Sequence, residues 1–242
     1  MIKQIPNLIT LLNLLSGSIG LVFIYEGHLE AGSLMILAGA FFDFMDGMAA
    51  RLLKVTSDIG KDLDSLADVV TFGVLPGMIL YRMISDQATG LSLNEFWKDL
   101  LPFTALLIPV FSAIRLARFN NDTRQTFHFR GLPTPANALF ISTLPFILNL
   151  PGSALPFQLW IRNWISSPVT LLILTPILAW LLISDLPLLS LKFKSLSFKG
   201  HEAIIVLLLS GLILLVWLGV AASVIILLLY LLISIAALRN ER

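Results

Sequence analysis

The feature that most constrains this chain is a series of apolar segments, each long enough to cross a lipid bilayer as a helix. A bilayer core about 30 Å thick needs about 20 apolar residues per helical crossing, and only helices and closed barrels satisfy the backbone inside it. The sequence therefore predicts an all-α, polytopic membrane helix bundle with about eight transmembrane helices. The apolar runs fall at 6–25, 31–53, 63–84, 99–119, 134–150, 167–184, 202–217 and 219–238.

The charge content agrees with this class and excludes several others. Charged residues make up 13% of the 242 residues, against about 25% in an average soluble domain. The net charge of +1 provides no basic field for nucleic acid, so we expect no nucleic-acid partner. The lack of cysteine excludes disulfides, thiolate metal sites and cysteine nucleophiles. We expect one transmembrane domain over residues 1–242.

Two stretches interrupt the regular pattern of spans. The last two apolar runs cover 37 residues, too many for one crossing, so we expect a turn at Trp217 to Gly219, with seven helices as the alternative. Between the fifth and sixth runs, the stretch 155–167 contains Trp160 and Trp164. Tryptophan is enriched at membrane interfaces, and this composition predicts a short segment in the headgroup layer.

Lysine and arginine are distributed unevenly between the two sides of the predicted bundle. Arg82, Lys98 and Arg162 fall on one side. Cytoplasmic loops are enriched in lysine and arginine, so the side with the other thirteen basic residues is assigned to the cytoplasm. We expect both termini on the cytoplasmic side, and we expect the bundle to lie in the cell (inner) membrane. The thirteen are Lys3, Arg51, Lys54, Lys61, Arg115, Arg118, Arg124, Arg130, Lys192, Lys194, Lys199, Arg239 and Arg242.

Four aspartates are the main polar feature of the predicted spans. Asp43 and Asp46 lie near the end of the second helix, and Asp64 and Asp68 lie near the start of the third. Spacings of three and four residues place each pair on one face of its helix. Because the loop 52–61 joins the two helices on the cytoplasmic side, both pairs lie at the same depth, and we expect them to converge.

A group of four carboxylates in membrane helices needs compensating cations. One Asp costs about 2.5–3.5 kcal/mol at the bilayer centre and less near the interface. Two divalent ions would balance four carboxylates, and a ligand set made only of oxygen is typical of Mg²⁺ or Mn²⁺. In the alternative interpretation, the aspartates reach water at helix ends or pair with Arg51, Lys54 and Lys61.

Small residues flank the two acidic pairs. Gly47 comes directly after the first pair, Ala50 lies one turn later, and Gly60 precedes the second pair. Such residues let a ligand or another helix approach the backbone closely. Arg51 is either a topology anchor or a counter-charge for a phosphate held on the metals.

Taken together, these positions resemble the signature of the CDP-alcohol phosphatidyltransferase family. The chain matches all eight positions of the pattern Asp43-x2-Asp46-Gly47-x2-Ala50-Arg51-x8-Gly60-x3-Asp64-x3-Asp68. The resemblance implies a dinuclear site with the four aspartates as ligands, in which Asp68 also deprotonates the acceptor alcohol. It further implies that Gly47, Ala50 and Arg51 hold the CDP group, that a loop hydroxyl near Ser57 reaches its phosphates, and that the protein is a homodimer.

The first predicted helix has a narrow polar stripe. Asn7, Thr10, Asn13 and Gly17 repeat at three or four residues. This stripe is compatible with hydrogen bonds between helices as well as with substrate contact. The resembling family has an Asn-x-x-Thr element at this place, so the resemblance assigns Asn7 and Thr10 to binding of the CDP-lipid.

Arg115 and Arg118 lie one turn apart near the end of the fourth helix and share a face. They are either a cytoplasmic basic cluster or guanidiniums that bind a carboxylate or a phosphate. The segments 63–76, 115–120 and 131–137 resemble the serine-accepting branch of the family. That resemblance implies CDP-diacylglycerol and L-serine as substrates, phosphatidylserine and CMP as products, and the two arginines as acceptor- or phosphate-binding residues.

Two alternative functions stay open at this point. The first is the same reaction with glycerol 3-phosphate or an inositol phosphate as acceptor, because a phosphorylated acceptor would also need arginines to bind it. The second is a divalent-cation transporter, which would also place aspartates in membrane helices, although no polar stripe continues to the other side.

We assign the catalytic helices to residues 1–150, with the signature at 43–68. We assign accessory helices in contact with membrane lipids to residues 167–238.

Overall fold

The computed structural model describes residues 4–55, 59–121, 129–189 and 202–239. Most of this part of the chain is helical, which confirms the predicted all-α class. Two short strands, β1 (Phe129–Arg130) and β2 (Pro187–Leu188), pair in antiparallel orientation. The helices are α1 (Ile5–Tyr25), α2 (Leu29–Leu53), α3 (Gly60–Ala88), α4 (Glu95–Asn121), α5 (Thr134–Leu148), α6 (Pro156–Ile165), α7 (Pro168–Ile183), α8 (Glu202–Leu218) and α9 (Ala222–Arg239).

Local sequence signals explain where the first two helices begin and end. α1 has Pro6 in its first turn, where the missing N–H breaks no helical hydrogen bond. The turn between the helices contains Gly27 at a φ of 88°, a conformation that glycine adopts without a steric penalty. α2 then begins with Glu30 in its first turn, where the helix dipole favours an acid.

Several of the described helices have the length and composition of membrane spans. Five apolar segments meet both criteria: Ile5–Tyr25, Leu29–Leu53, Gly60–Ala88, Glu95–Asn121 and Ile204–Ala236. α6 and α7, which meet at an angle of 81°, form a sixth span if the bend lies within one crossing. The chain is therefore a multi-pass membrane helix bundle. The number of eight crossings and the side on which the termini lie stay predictions.

The segment Ile204–Ala236 consists of two helices that lie side by side. Ile226 is 3.9 Å from the position that a Cβ would take at Gly211, whereas 15 residues of continuous helix would separate them by about 22 Å. Leu207 and Tyr230 likewise belong to one buried cluster. The chain reverses after α8 at Gly219, whose φ is 53°. This is the turn expected at Trp217 to Gly219.

The short helix α6 has the features of an interfacial segment. Ile161 and Ile165 are buried on one face, while Trp160 and Trp164 are exposed on the other. Gln158 on α6 donates a hydrogen bond to the Leu218 carbonyl oxygen at the end of α8 (2.9 Å). α6 therefore closes the end of the bundle at the α8–α9 turn, and its angle to α7 agrees with the predicted headgroup location.

α3 is the central helix of the bundle. Its apolar side chains Phe72, Leu75, Ile79 and Leu80 are fully buried within the main core cluster, which also contains residues of α1, α2, α4, α5 and α7. Its residues Val70–Val74 form a π-helical turn that begins two residues after Asp68. Such turns are frequent at functional sites because they rotate the residues that follow. The structure thus places the second acidic pair at the end of the most buried helix.

α1 packs closely on α3 around Thr71. The Thr71 hydroxyl donates a hydrogen bond to the Asn13 carbonyl oxygen (3.0 Å). A Cβ at Gly17 would lie 2.9 Å from Thr71 Cα and would overlap Thr71 Oγ1, and a Cβ at Gly39 would overlap Thr71 Cγ2. The two glycines therefore allow the backbones of α1 and α2 to approach this threonine.

We expect Gly17→Ala to lower the stability of the bundle by about 1–3 kcal/mol, because the added methyl group has no space. This loss would occur although alanine favours a helix by about 1 kcal/mol over glycine. The measurement is the thermal unfolding midpoint in detergent, with Gly152→Ala as control, since a Cβ there meets no atom within 4 Å. An unchanged or higher midpoint for Gly17→Ala would contradict the close packing at Thr71.

Candidate functional site

Three of the four predicted aspartates meet at the paired ends of α2 and α3. Asp43, Asp64 and Asp68 each contribute one carboxylate oxygen to a group in which all oxygens lie within 4.8 Å of one another. Asp64 and Asp68 are one turn apart on α3, so both carboxylates face α2. The short connection between the helices brings Asp43 to the same level. The convergence expected from the spacing is thus present for these three residues.

The donor set of this group fits hard divalent cations. All three ligand atoms are carboxylate oxygens, the type that Mg²⁺ prefers. At Mg–O distances of 2.0–2.1 Å, opposite ligands of one ion lie about 4.2 Å apart, slightly less than the 4.8 Å limit of this group. In two-metal sites the two metal ions lie about 3.5–4 Å apart. The spacing is therefore compatible with divalent cations that these carboxylates would hold.

The fourth aspartate, Asp46, lies outside the three-oxygen group and faces α1. Its side chain is buried, with 7% of its surface exposed, and it accepts a hydrogen bond from the Thr10 hydroxyl (2.6 Å). Asp46 is also close enough to Asp68 to interact with it electrostatically. Thr10, which the sequence assigns to the CDP-lipid, therefore contacts a carboxylate that the sequence assigns to a metal.

Asn13 is a site residue that the sequence analysis named only as part of a polar stripe. It is fully buried, and its side-chain amide donates a hydrogen bond to Asp68 Oδ1 (3.2 Å). Its backbone is held by Thr71, and a Cβ at Gly39 would lie 2.9 Å from its Oδ1. Asn13 therefore fixes the orientation of the Asp68 carboxylate. In the sequence, this role is indicated by the position of Asn13 three residues after Thr10, on the same face of α1.

The signature residues after Asp46 lie beside open space. A Cβ at Gly47 would meet no atom within 4 Å among the described residues. Arg51 is exposed, and its Nε donates to the Gly47 carbonyl oxygen (3.0 Å). Ala50 lies between them on α2 and is partly buried. Ser57 lies outside the described residues. The face of α2 next to the acidic group therefore has room for a ligand.

Asn7 lies one turn before Thr10, close to the start of α1. Its side chain is buried, and its Nδ2 donates a hydrogen bond to Gln4 Oε1 (3.1 Å). Asn7, Thr10 and Asn13 therefore line the face of α1 that packs on α2 and α3. The predicted polar stripe faces into the bundle at the level of the aspartates.

The two predicted arginines point to different places. Arg115 is buried, lies 3.4 Å from the Thr134 hydroxyl through its Nη1, and interacts electrostatically with Tyr230 and, more weakly, with Asp68. Arg118 is exposed, and its Nη1 donates to the Ile183 carbonyl oxygen at the end of α7 (3.3 Å). Cations are favourable at that end of a helix. The structure thus brings Arg115 toward the acidic group and places Arg118 on the end of α7.

Hydrogen bonds between α3 and α4 hold Arg115 in this position. Asn120 donates to the Ser65 hydroxyl (2.7 Å), and Lys61 donates to the Asn120 carbonyl oxygen (2.7 Å). Ser65 lies between Asp64 and Asp68 of α3, while Asn120 lies two residues after Arg118 on α4. These bonds fix the register of α3 and α4, and they keep the guanidinium near the carboxylates.

An apolar groove begins near the Arg115–Thr134 contact. It has a volume of about 950 Å³ and lies between α2, α5 and the α8–α9 pair. Pro133 and Tyr230 line it at the level of the site, and Leu215 and Val220 line its far end. Along α5 the groove runs from Pro135 to Phe146, about 16 Å of helix. The site is therefore next to a space suited to hydrocarbon.

Comparison with known proteins gives matches over most of the chain. The family model of the CDP-alcohol phosphatidyltransferases matches residues 3–181. The chain is 31% identical to a CDP-diacylglycerol–serine O-phosphatidyltransferase of Bacillus subtilis over 83% of its length and 94% of that protein. It is 33% identical to a protein of the same name from Mycobacterium leprae, covering 84% of this chain and 63% of that one. An archaetidylserine synthase of Methanothermobacter thermautotrophicus is 32% identical over 57% of this chain and 56% of its own.

We expect Mn²⁺ to raise the thermal unfolding midpoint of the protein in detergent by about 5–10 °C at 100 times its dissociation constant. Asp64→Asn should lose most of this shift, because it removes one carboxylate of the group. The control is Asp86→Asn at the other end of α3, where Asp86 pairs with Arg82 at 3.0 Å and is exposed. Equal shifts for both variants would contradict a metal site at Asp43, Asp64 and Asp68.

Proposed function

Because this chain belongs to the CDP-alcohol phosphatidyltransferase family, we propose that it transfers the phosphatidyl group of CDP-diacylglycerol to the hydroxyl group of L-serine, giving phosphatidylserine and CMP. The observation that carries the proposal is the group of Asp43, Asp64 and Asp68 in a chain whose relatives are named for this reaction. The relation to the family supports phosphatidyl transfer to an alcohol, and the serine acceptor rests on the names of the relatives.

In the proposed reaction, the serine hydroxyl oxygen attacks the phosphorus that carries the diacylglycerol. A new phosphorus–oxygen bond forms to serine while the bond to the CMP oxygen breaks. Asp68 accepts the proton of the serine hydroxyl, and CMP leaves with the electron pair of the broken bond. Asn13 orients the Asp68 carboxylate through its hydrogen bond of 3.2 Å. A base must lie within hydrogen-bond reach of the proton that it accepts.

We propose that Asp43, Asp46, Asp64 and Asp68 hold two divalent ions, Mg²⁺ or Mn²⁺. When bound, these ions stabilise negative charge on the attacking and leaving oxygens. Thr10 orients Asp46 by donating to its carboxylate at 2.6 Å. The oxygen-only donor set of Asp43, Asp64 and Asp68 and their separation within 4.8 Å support this part of the proposal.

The CDP group is proposed to lie along the face of α2 that follows Asp46. The open space at Gly47 gives the diphosphate access to the backbone. Ala50 continues this surface, and Arg51, which is exposed, supplies a counter-charge for a phosphate. We propose that Asn7 and Thr10 contact the nucleotide from α1 and that the Ser57 hydroxyl contacts its phosphates.

Arg115 is the stronger candidate for binding the acceptor. It is buried and interacts electrostatically with Asp68, whereas Arg118 donates to the end of α7. A guanidinium binds a carboxylate through two parallel hydrogen bonds. We therefore assign the serine carboxylate to Arg115, and we assign to Arg118 a role in holding α4 against α7.

The location of the site suits a lipid substrate. Acyl chains would occupy the apolar groove between α2, α5 and the α8–α9 pair. In this arrangement residues 1–150 would carry out catalysis, and helices within residues 167–238 would complete the lipid site. We propose that the site faces the cytoplasm from the inner membrane, with both termini on the same side. The homodimer implied by the family belongs to the same proposal.

The decisive experiment measures CMP release by the purified protein in liposomes that contain CDP-diacylglycerol, with each candidate alcohol added separately. We expect release to depend on L-serine and to be absent with glycerol 3-phosphate or inositol phosphate. EDTA should abolish release, and added Mg²⁺ or Mn²⁺ should restore it. Release with a phosphorylated alcohol but not with serine would reject the acceptor while leaving the reaction class in place.

A further inference from the structure

Four buried polar side chains lie along one seam between α4 and α5, which we call the polar seam: Ser112, Arg115, Thr134 and Asn137. Ser112, Thr134 and Asn137 are fully buried, and Arg115 is 7% exposed. On each helix the two residues are three positions apart, so they share a face. The contact of 3.4 Å between Arg115 and Thr134 shows that the two faces meet.

Ser112 and Asn137 each lie one turn further along their helices from the Arg115–Thr134 contact. Arg115 lies near the end of α4 and Thr134 at the start of α5, so their contact aligns two helices that run in opposite directions. One turn deeper in the bundle, Ser112 and Asn137 are each three residues away from this contact. The polar seam thus has an outer pair, Arg115 and Thr134, and an inner pair, Ser112 and Asn137.

The inner pair has polar atoms that no described residue satisfies. Ser112 Oγ, Asn137 Oδ1 and Asn137 Nδ2 are buried without a hydrogen-bond partner, and so is Arg115 Nε. Ser112 and Asn137 therefore do not bond to each other across the seam. Buried polar groups in native proteins are almost always hydrogen-bonded, so each exception needs an explanation. A bound polar molecule between the two helices would supply the missing partners.

The chemistry of these atoms matches a zwitterion better than a phosphate. Arg115 Nε and Asn137 Nδ2 are donors, as a carboxylate requires, whereas Asn137 Oδ1 and Ser112 Oγ can accept hydrogen bonds from an ammonium group. The oxygens of a fully ionised phosphate only accept, so they would leave Asn137 Oδ1 facing a negative charge. A ligand with one carboxylate and one ammonium group satisfies both kinds of atom.

The polar seam also lies close to the reacting groups. Arg115 interacts electrostatically with Asp68. Ser112 Cβ is 3.1 Å from the position that a Cβ would take at Gly73, in the π-helical turn that begins two residues after Asp68. The polar seam therefore adjoins the helix that carries the proposed base.

We propose that the polar seam binds the α-carboxylate and α-ammonium groups of the acceptor, and that Asn137 and Ser112 select an amino acid over an acceptor without an ammonium group. This inference rests on the proposed function and extends it to the residues that determine acceptor specificity. Arg115 binds the carboxylate together with the Asn137 amide. Asn137 Oδ1 and the Ser112 hydroxyl accept hydrogen bonds from the ammonium group.

The test compares L-serine with 3-hydroxypropionate, which has the hydroxyl and carboxylate groups but no ammonium group. Wild-type protein should prefer serine in kcat/KM for CMP release. Asn137→Leu should raise the KM for serine at least about tenfold, because bonds to charged groups are lost. It should reduce the preference by a smaller factor, because the bond to the carboxylate is lost for both substrates. The KM for CDP-diacylglycerol should not change. Ser112→Ala, a smaller change, should reduce the preference by about threefold or more.

The matched control is Thr175→Ala on α7, where the buried Thr175 hydroxyl donates to the Leu171 carbonyl oxygen of its own helix (2.8 Å). This control should keep the wild-type preference. A preference unchanged in both Asn137→Leu and Ser112→Ala would overturn the inference, and Ser112→Ala decides alone if Asn137→Leu does not fold. Absence of serine-dependent CMP release in the wild type would instead reject the proposed function itself.

Discussion

Repulsion among carboxylates at the joined ends of α2 and α3 is the interaction on which the rest of this structure depends. Asp43, Asp64 and Asp68 approach within 4.8 Å, with Asp46 nearby. Ionised groups so close together in a partly buried position need cations and hydrogen-bond donors. α1 supplies the donors through Thr10 and Asn13. The close contact of α1 with α3, which Gly17 permits, therefore serves the acidic group directly.

The surroundings of the acidic group match the different parts of a lipid reaction. Open space at Gly47 lies on one side, the buried guanidinium of Arg115 on another, and an apolar groove of about 950 Å³ runs along α5. A nucleotide, a small polar acceptor and acyl chains each require one of these environments. Because the phosphorus of the proposed substrate links a diacylglycerol to a nucleotide, the site has to lie where hydrocarbon and water meet. This requirement explains why the site is built from the ends of membrane helices.

Part of this site follows from sequence spacing, and part depends on tertiary packing. The convergence of Asp43 with Asp64 and Asp68 was predictable, since helical spacing and one short loop determine it. The reversal near Gly219 was predictable from span length. The bond of Asn13 to Asp68 was not, because it requires the approach of α1 to α3 through Gly17 and Thr71. The divergence of Arg115 and Arg118 depends on α7, which is distant in the sequence, and so could not be read from their spacing.

The central claim is that Asp68, oriented by Asn13 within the acidic group, accepts the proton of the acceptor alcohol. Asp68→Asn tests it most directly, because the substitution keeps the size of the side chain and an oxygen that can accept from Asn13. We expect serine-dependent CMP release to fall at least about a hundredfold, with CDP-diacylglycerol binding changed by less than about threefold. Asp62→Asn, an exposed position in the first turn of the same helix, is the control. Turnover retained in Asp68→Asn would contradict the claim.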